Sequence, residues 1–108
     1  MFFLVPSSAP LHTAARTLSS TEILVTWDPP NPIDQNGIII DYKILYFRST
    51  FTEIPDSYIA TNSGNSTMIL IGNLEEYVEY SFAVGALTSV GSGNFSDPIS
   101  NTTFQDGN

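Results

Sequence analysis

The chain has 108 residues, the length of one domain, with eleven acidic against three basic side chains and a formal net charge of −8. Phosphate binding depends on displacing counterions with Lys and Arg, so this balance argues against nucleic acid, heparin and anionic membrane as partners. With no cysteine there is no thiolate nucleophile, no Cys-type zinc site and no disulfide frame. No apolar run approaches the roughly 18 residues of a membrane span. At 42% hydrophobic and 13% charged residues the composition is that of a globular domain. A chain of this size buries roughly 65% of its unfolded surface, enough for a core without covalent staples.

Residues 1–5 lack a basic leader region, and their apolar run is too short for a signal peptide, so they read as a linker. The domain is placed at 6–105 and a tail at 106–108. Pro6-Ser7-Ser8-Ala9-Pro10 keeps the chain extended at an edge. A first strand is predicted from about Leu11 to Leu18, and a second from about Glu22 to Asp28. In the second, Ile23, Val25 and Trp27 share one face and Glu22, Leu24 and Thr26 the other.

Residues 29–37 contain three prolines and end in Asn36-Gly37, which makes them a loop. The third strand, from about Ile38 to Arg48, is rich in β-branched and aromatic residues. Tyr42, Ile44 and Tyr46 share a face, opposite Asp41, Lys43, Leu45 and Phe47. Pro55 limits residues 51–61 to an edge strand or loop. A turn at 62–65 leads to a strand from about Ser66 to Ile71, apolar on both faces, whose phase is left open. Leu74 points inward. The strand from about Tyr77 to Thr88 turns Tyr80, Phe82, Val84 and Ala86 to the core. After Gly91-Ser92-Gly93 a last strand runs from about Ser96 to Phe104.

Seven short strands at intervals of about eight to twelve residues, with no sustained helical period, indicate an all-β sandwich or barrel. Parallel pairing is excluded because no segment can serve as a crossover helix.

These residues resemble a fibronectin type III domain over about Pro6 to Phe104. The family's proline before the first strand matches Pro10, and its Trp followed by prolines matches Trp27-Asp28-Pro29-Pro30. The strand pattern I-x-x-Y-x-I-x-Y is met by Ile39, Tyr42, Ile44 and Tyr46. A Leu six residues before the corner tyrosine is met by Leu74 and Tyr80, and the strand continues with Val84 and Ala86. G-x-G-x-x-S matches Gly91, Gly93 and Ser96, and the closing Thr matches Thr103. Glu76 and Val78 replace the family's frequent Pro and Thr on the approach to the corner. No R-G-D or W-S-x-W-S motif is present.

The resemblance implies a seven-stranded antiparallel immunoglobulin-like β-sandwich. Trp27, Tyr42, Leu74, Tyr80 and Val84 are its expected core, and the Tyr80 hydroxyl is expected to bond to backbone near Leu74.

Candidate chemistry is sparse. His12 is the only imidazole and lies on an edge segment. No G-x-S-x-G elbow raises a serine. Glu75, Glu76 and Glu79 form an acidic corner without an evident pocket. Asp28, Asp34, Asp41 and Asp56 are scattered, with no calcium-loop pattern. The chain is therefore expected to be no enzyme and to carry no cofactor or metal. Asn65, Asn94 and Asn101 each begin an N-x-[ST] sequon, and the first two fall in predicted turns. Leu45 and Phe47, beside Leu87 on the neighbouring strand, form a candidate outward apolar patch for contact with another protein.

The family resemblance implies a non-catalytic module of a larger extracellular or cell-surface adhesion or receptor protein, receptor tyrosine phosphatases among them. It would act as a spacer and protein-binding surface, with other proteins or neighbouring domains of the same chain as partners and no direct membrane contact. Two alternatives stay open: an intracellular scaffold module of a giant muscle-type protein, or an accessory domain of a secreted carbohydrate-active enzyme.

Overall fold

The computed structural model describes residues 4–49 and 58–106, with backbone alone for 58–62. In chain order the strands are β1 (Leu11–Thr17), β2 (Ile23–Asp28), β3 (Asp41–Arg48), β4 (Tyr58–Ser63), β5 (Met68–Ile71), β6 (Glu79–Thr88), β7 (Gly91–Ser92) and β8 (Ile99–Thr102). A 3-10 turn covers Pro32–Asp34. One sheet has the order β1-β2-β5; the other runs β4-β3-β6, with β7 and β8 both on the far side of β6. Every pairing is antiparallel.

β7 pairs with Leu87 and Thr88, and β8 pairs with residues 79–82 of the same strand. They are two pieces of one interrupted strand, so the architecture is a seven-stranded antiparallel sandwich. Between the pieces the ladder is partly kept. Ser96 N–H donates to the Val84 carbonyl at 2.9 Å, and Ser96 Oγ accepts from Val84 N–H at 2.9 Å. A hydroxyl thus stands in for a backbone carbonyl. Pro98, just before β8, has no N–H to offer, which suits an interruption here.

The core lies between the sheets and follows the alternation of period two. Ile23, Val25 and Trp27 from β2 meet Tyr42 and Ile44 from β3, Phe82, Val84 and Ala86 from β6, and Ile71 from β5. The Trp27 and Tyr42 rings are 5.1 Å apart at 58°. Neither Trp27 Nε1 nor Tyr42 Oη has a hydrogen-bond partner among the described residues. Burial raises the Tyr42 phenol above the usual tyrosine range, and the indole beside it opposes this in part.

Several boundaries differ from the sequence expectation. β3 begins at Asp41, because Asn36 and Gly37 take positive φ and turn the chain, leaving Ile38 and Ile40 exposed ahead of the strand. The phase left open in β5 resolves with Ile69 and Ile71 inward and Met68 and Leu70 outward. β1 carries an irregularity between Leu11 and Ala14, where His12 has φ 54°. The segment with Pro55 lies outside the described residues, and β4 beyond it forms the sheet edge beside β3.

Leu4 and Val5, read as linker, are tied to the domain. Leu4 N–H donates to the Asn36 carbonyl at 3.1 Å, and the Leu4 carbonyl accepts from the Thr88 hydroxyl at 2.8 Å. Pro6 is fully buried against Gly93, where an added Cβ would sit 2.3 Å from the Pro6 carbonyl oxygen. Only a residue without a side chain lets the entering segment lie this close.

Candidate functional site

The outer face of the sheet built on β3 and β6 is where the apolar patch was expected. Cross-strand pairs set Leu45 beside Ala83, Phe47 beside Ser81, Lys43 beside Gly85 and Asp41 beside Leu87. Leu45, Phe47 and Leu87 are half-buried, and Ala83 and Gly85 are buried. The cover comes partly from Phe95, which sequence reasoning passed over. A Cβ on Gly85 would meet three atoms of its ring at 3.1 Å. The interrupted stretch before β8 therefore folds an aromatic ring back over the sheet. Beside it, hydroxyls cross the same face: Ser49 to Ser81 at 2.7 Å and Ser81 to Ser100 at 2.8 Å. The surface is a small, partly closed second core with an open rim.

At the opposite end from the chain's entry, Tyr80 builds the corner. Its hydroxyl accepts from Glu75 N–H at 3.0 Å, next to the buried Leu74. Thr103, 1% exposed, locks the same loop from just beyond the last strand. Its hydroxyl donates to the Glu75 carbonyl at 2.6 Å and accepts from Val78 N–H at 3.0 Å. Two side chains thus satisfy backbone groups that no ladder reaches. Glu75, Glu76 and Glu79 point to solvent, and Glu75 pairs with Arg48. An exposed pair of this kind contributes about 0–1 kcal/mol.

The sequons divide by geometry. Asn65 and Asn94 are exposed outside the strands, at a turn and in the β7–β8 interruption, with Asn94 Nδ2 donating to the Ser7 carbonyl at a long 3.4 Å. Asn101 lies in β8, half-buried, and its Nδ2 donates to the Ala15 carbonyl at 2.8 Å. With the Thr17 hydroxyl donating to the Thr102 carbonyl at 2.7 Å, it joins β1 to β8 across the edge of the sandwich. Asn101 is a structural clasp in this fold.

The end where the chain enters has its own character. Ile33 is 81% exposed, Ile38 73%, Leu4 57% and Val90 56%. Hydrogen bonds from Leu4 N–H to the Asn36 carbonyl, from the Thr88 hydroxyl to the Leu4 carbonyl and from Ser7 N–H to the Asp34 carbonyl gather these loops at one pole. The sequence signal was visible: isoleucines in a loop otherwise made of Pro, Asn, Asp, Gln and Gly.

Among the described residues no group of three or more His, Cys, Asp or Glu could hold a metal. His12 Nδ1 lies 2.8 Å from Asp28 Oδ2, both exposed, and no serine or threonine stands beside that pair in the hydrogen-bond network described.

A family model described as "Fibronectin type III domain" matches residues 8–102. Mouse sidekick-1 is 38% identical over 95 residues, which cover 88% of this chain and 4% of that protein. Human neogenin is 37% identical over 102 residues, 94% of this chain and 7% of its own length. The solution structure of the fn3 domain of human contactin 1 superposes with a TM-score of 0.82 at 25% identity, over 100% of this chain and 89% of that one. The chain thus spans well under a tenth of the curated relatives named here. With its buried indole, its cornered tyrosine and this match across most of its length, the chain belongs to the fibronectin type III family.

Proposed function

We propose that this domain is a non-catalytic module of a larger extracellular or cell-surface adhesion or receptor protein, serving as a stiff spacer and a protein-binding surface. The observation that carries the reading is the relationship to sidekick-1 and neogenin, proteins in which the matching segment is 4% and 7% of the length. Geometry supports the spacer role. The chain enters at the pole that holds Leu4, Asn36 and Thr88, and leaves beside Ser19 and Tyr77, to which Phe104 is hydrogen-bonded. Between these poles runs β6, ten residues long. At about 3.4 Å per residue that is a rise of roughly 34 Å.

Asn65 and Asn94 are the proposed glycan acceptors. Leu45, Phe47 and Leu87, with the Phe95 ring, form the rim of the proposed contact face. A domain with net charge −8 and three cations is poorly suited to binding anionic partners.

The test is topological. An antibody raised against this domain should stain intact, unpermeabilised cells that express the full-length parent. Staining that requires permeabilisation would overturn the extracellular reading in favour of the intracellular scaffold.

A further inference from the structure

We infer, on the extracellular reading given above, that the sequon at Asn101 is glycosylated only before the sandwich closes, so that a glycan at Asn101 and the folded domain exclude each other and the sugar marks chains that were slow to fold. The transfer joins the Asn Nδ2 to C1 of a sugar carried on a lipid pyrophosphate. The N–C1 bond forms, the C1–O bond breaks, the pyrophosphate leaves with the electron pair, and the amide nitrogen gives up one proton. The nitrogen must be free to approach the donor, and the hydroxyl two residues on must be free for recognition, which is why N-x-[ST] acceptors belong to surface loops. In this fold residues 101–103 offer neither. Asn101 Nδ2 donates to the Ala15 carbonyl at 2.8 Å, and its Oδ1 accepts from Thr102 N–H at 2.8 Å. The Thr103 hydroxyl is held inside the corner, between the Glu75 carbonyl and Val78 N–H, on a residue that is 1% exposed. The backbone is equally committed: Asn101 pairs with Tyr80 in the β6–β8 ladder, and Thr103 N–H donates to the Val78 carbonyl at 3.0 Å.

The other two sequons give the contrast. Asn65 is exposed at a turn. Asn94 stands between: it is exposed and its Nδ2 makes only the long bond to Ser7, while Ser96 Oγ accepts from Val84 N–H. Position along the chain turns the Asn101 case into a race. Residues 99–103 complete the β6 edge, the Tyr80 corner and the β1 edge together. None of these contacts exists until the sequon itself has been synthesised, and their formation is what hides it. Sandwiches rich in long-range pairing fold in milliseconds to seconds. Synthesis adds about 5–20 residues per second, so closure and presentation to the transferase overlap in time. Once transferred, the sugar has no place in the closed fold. One N–H stays on Nδ2, but C1 takes the other position in a half-buried seam, where Nδ2 meets the Ala15 carbonyl and the Thr17 hydroxyl meets the Thr102 carbonyl. A glycan there holds β1 away from β8.

Glycan occupancy site by site in the full-length parent, made in a secretory host and read by mass spectrometry of cells and medium together, is the test. In the wild type Asn65 should be occupied, and Asn101 occupied in only a small minority of molecules. Trp27→Ala, which empties the core, should raise the occupied fraction at Asn101 about fivefold or more and leave Asn65 unchanged. Should that chain be degraded before it can be read, Thr17→Val removes one clasp between β1 and β8 without touching the sequon, and occupancy at Asn101 should again rise. Limited proteolysis should find molecules with a glycan at Asn101 cut within the domain and the bare ones resistant. In a protein whose wild type reaches the cell surface, equal occupancy of Asn101 in wild type and variants, whether full or nil, overturns the inference. A glycan at Asn101 in protease-resistant molecules overturns it too. A wild type found only in permeabilised cells, with all three sequons bare, overturns the extracellular reading itself.

Discussion

The three-stranded sheet and the four-stranded one, with β7 and β8 counted as one interrupted strand, treat their outer faces differently. On the first, alternation is simple. β2 reads buried at Ile23, Val25 and Trp27 and half-buried or exposed between them, and β5 leaves Met68 and Leu70 about half exposed. On the second, β6 is buried on both faces from Tyr80 to Ala86. The difference has a local cause. The outer side chains of β2 are half-buried at Leu24 and Thr26 and those of β5 exposed at Met68 and Leu70, whereas β6 lies under the Phe95 ring and carries small residues, Ser81, Ala83 and Gly85, at the covered positions. Period two identifies which residues share a face. It is silent on whether a face is wet.

If the space between the sheets is the principal core, its removal gives the largest effect. Trp27→Ala empties a site that is 3% exposed, against the Tyr42 ring. A loss of about 3–5 kcal/mol is expected in urea denaturation, by analogy with other buried aromatics. Leu70→Ala on the open face of the same sheet should change stability by about 0.5 kcal/mol or less. A Trp27→Ala loss no greater than that of Leu70→Ala would break the comparison at its strongest point.

What the sequence made legible follows the same division. Trp27, Tyr42, Leu74, Tyr80 and Val84 could be placed because the core obeys a strict local period and the corner has a fixed spacing. The extent of β3 was less legible, since Ile38, Ile39 and Ile40 have strong strand propensity and only the positive φ at Asn36 and Gly37 decides where pairing starts. The expectation of an open patch at Leu45, Phe47 and Leu87 lacked Phe95, whose position depends on a break in the last strand. A long-range fold-back of that kind leaves no period to read. Leu4 and Val5 were assigned to a linker for the same reason: their partners, Asn36 and Thr88, are distant in sequence.

A sharper test of the two-face comparison is Phe95→Ala. If the outer face of β6 is a second, smaller core, removing the half-buried ring should cost about 2 kcal/mol, roughly half the value for a fully buried phenylalanine. Thermal denaturation of the variant beside Leu70→Ala separates the two faces directly. Equal, small losses would mean that Phe95 merely rests on the sheet and that both outer faces are alike. A larger loss for Phe95→Ala would also explain why Gly85 stands at the centre of that face: any side chain there must move the ring.

A smaller effect lies at the corner, where no apolar area changes. Tyr80→Phe keeps the buried ring and removes the hydroxyl that accepts from Glu75 N–H. The expected cost is about 1 kcal/mol, the usual net worth of one hydrogen bond. Thr103 decides how far the damage spreads. Its hydroxyl holds the Glu75 carbonyl and Val78 N–H independently of Tyr80, so the loop has a second anchor. In the double variant Tyr80→Phe/Thr103→Val both anchors are lost, and the combined cost should exceed the sum of the single ones, because each anchor limits the motion that breaking the other would allow. Strict additivity in equilibrium denaturation would mean that the two hydroxyls act independently, each contributing its own hydrogen bonds, and that neither limits the motion released by losing the other.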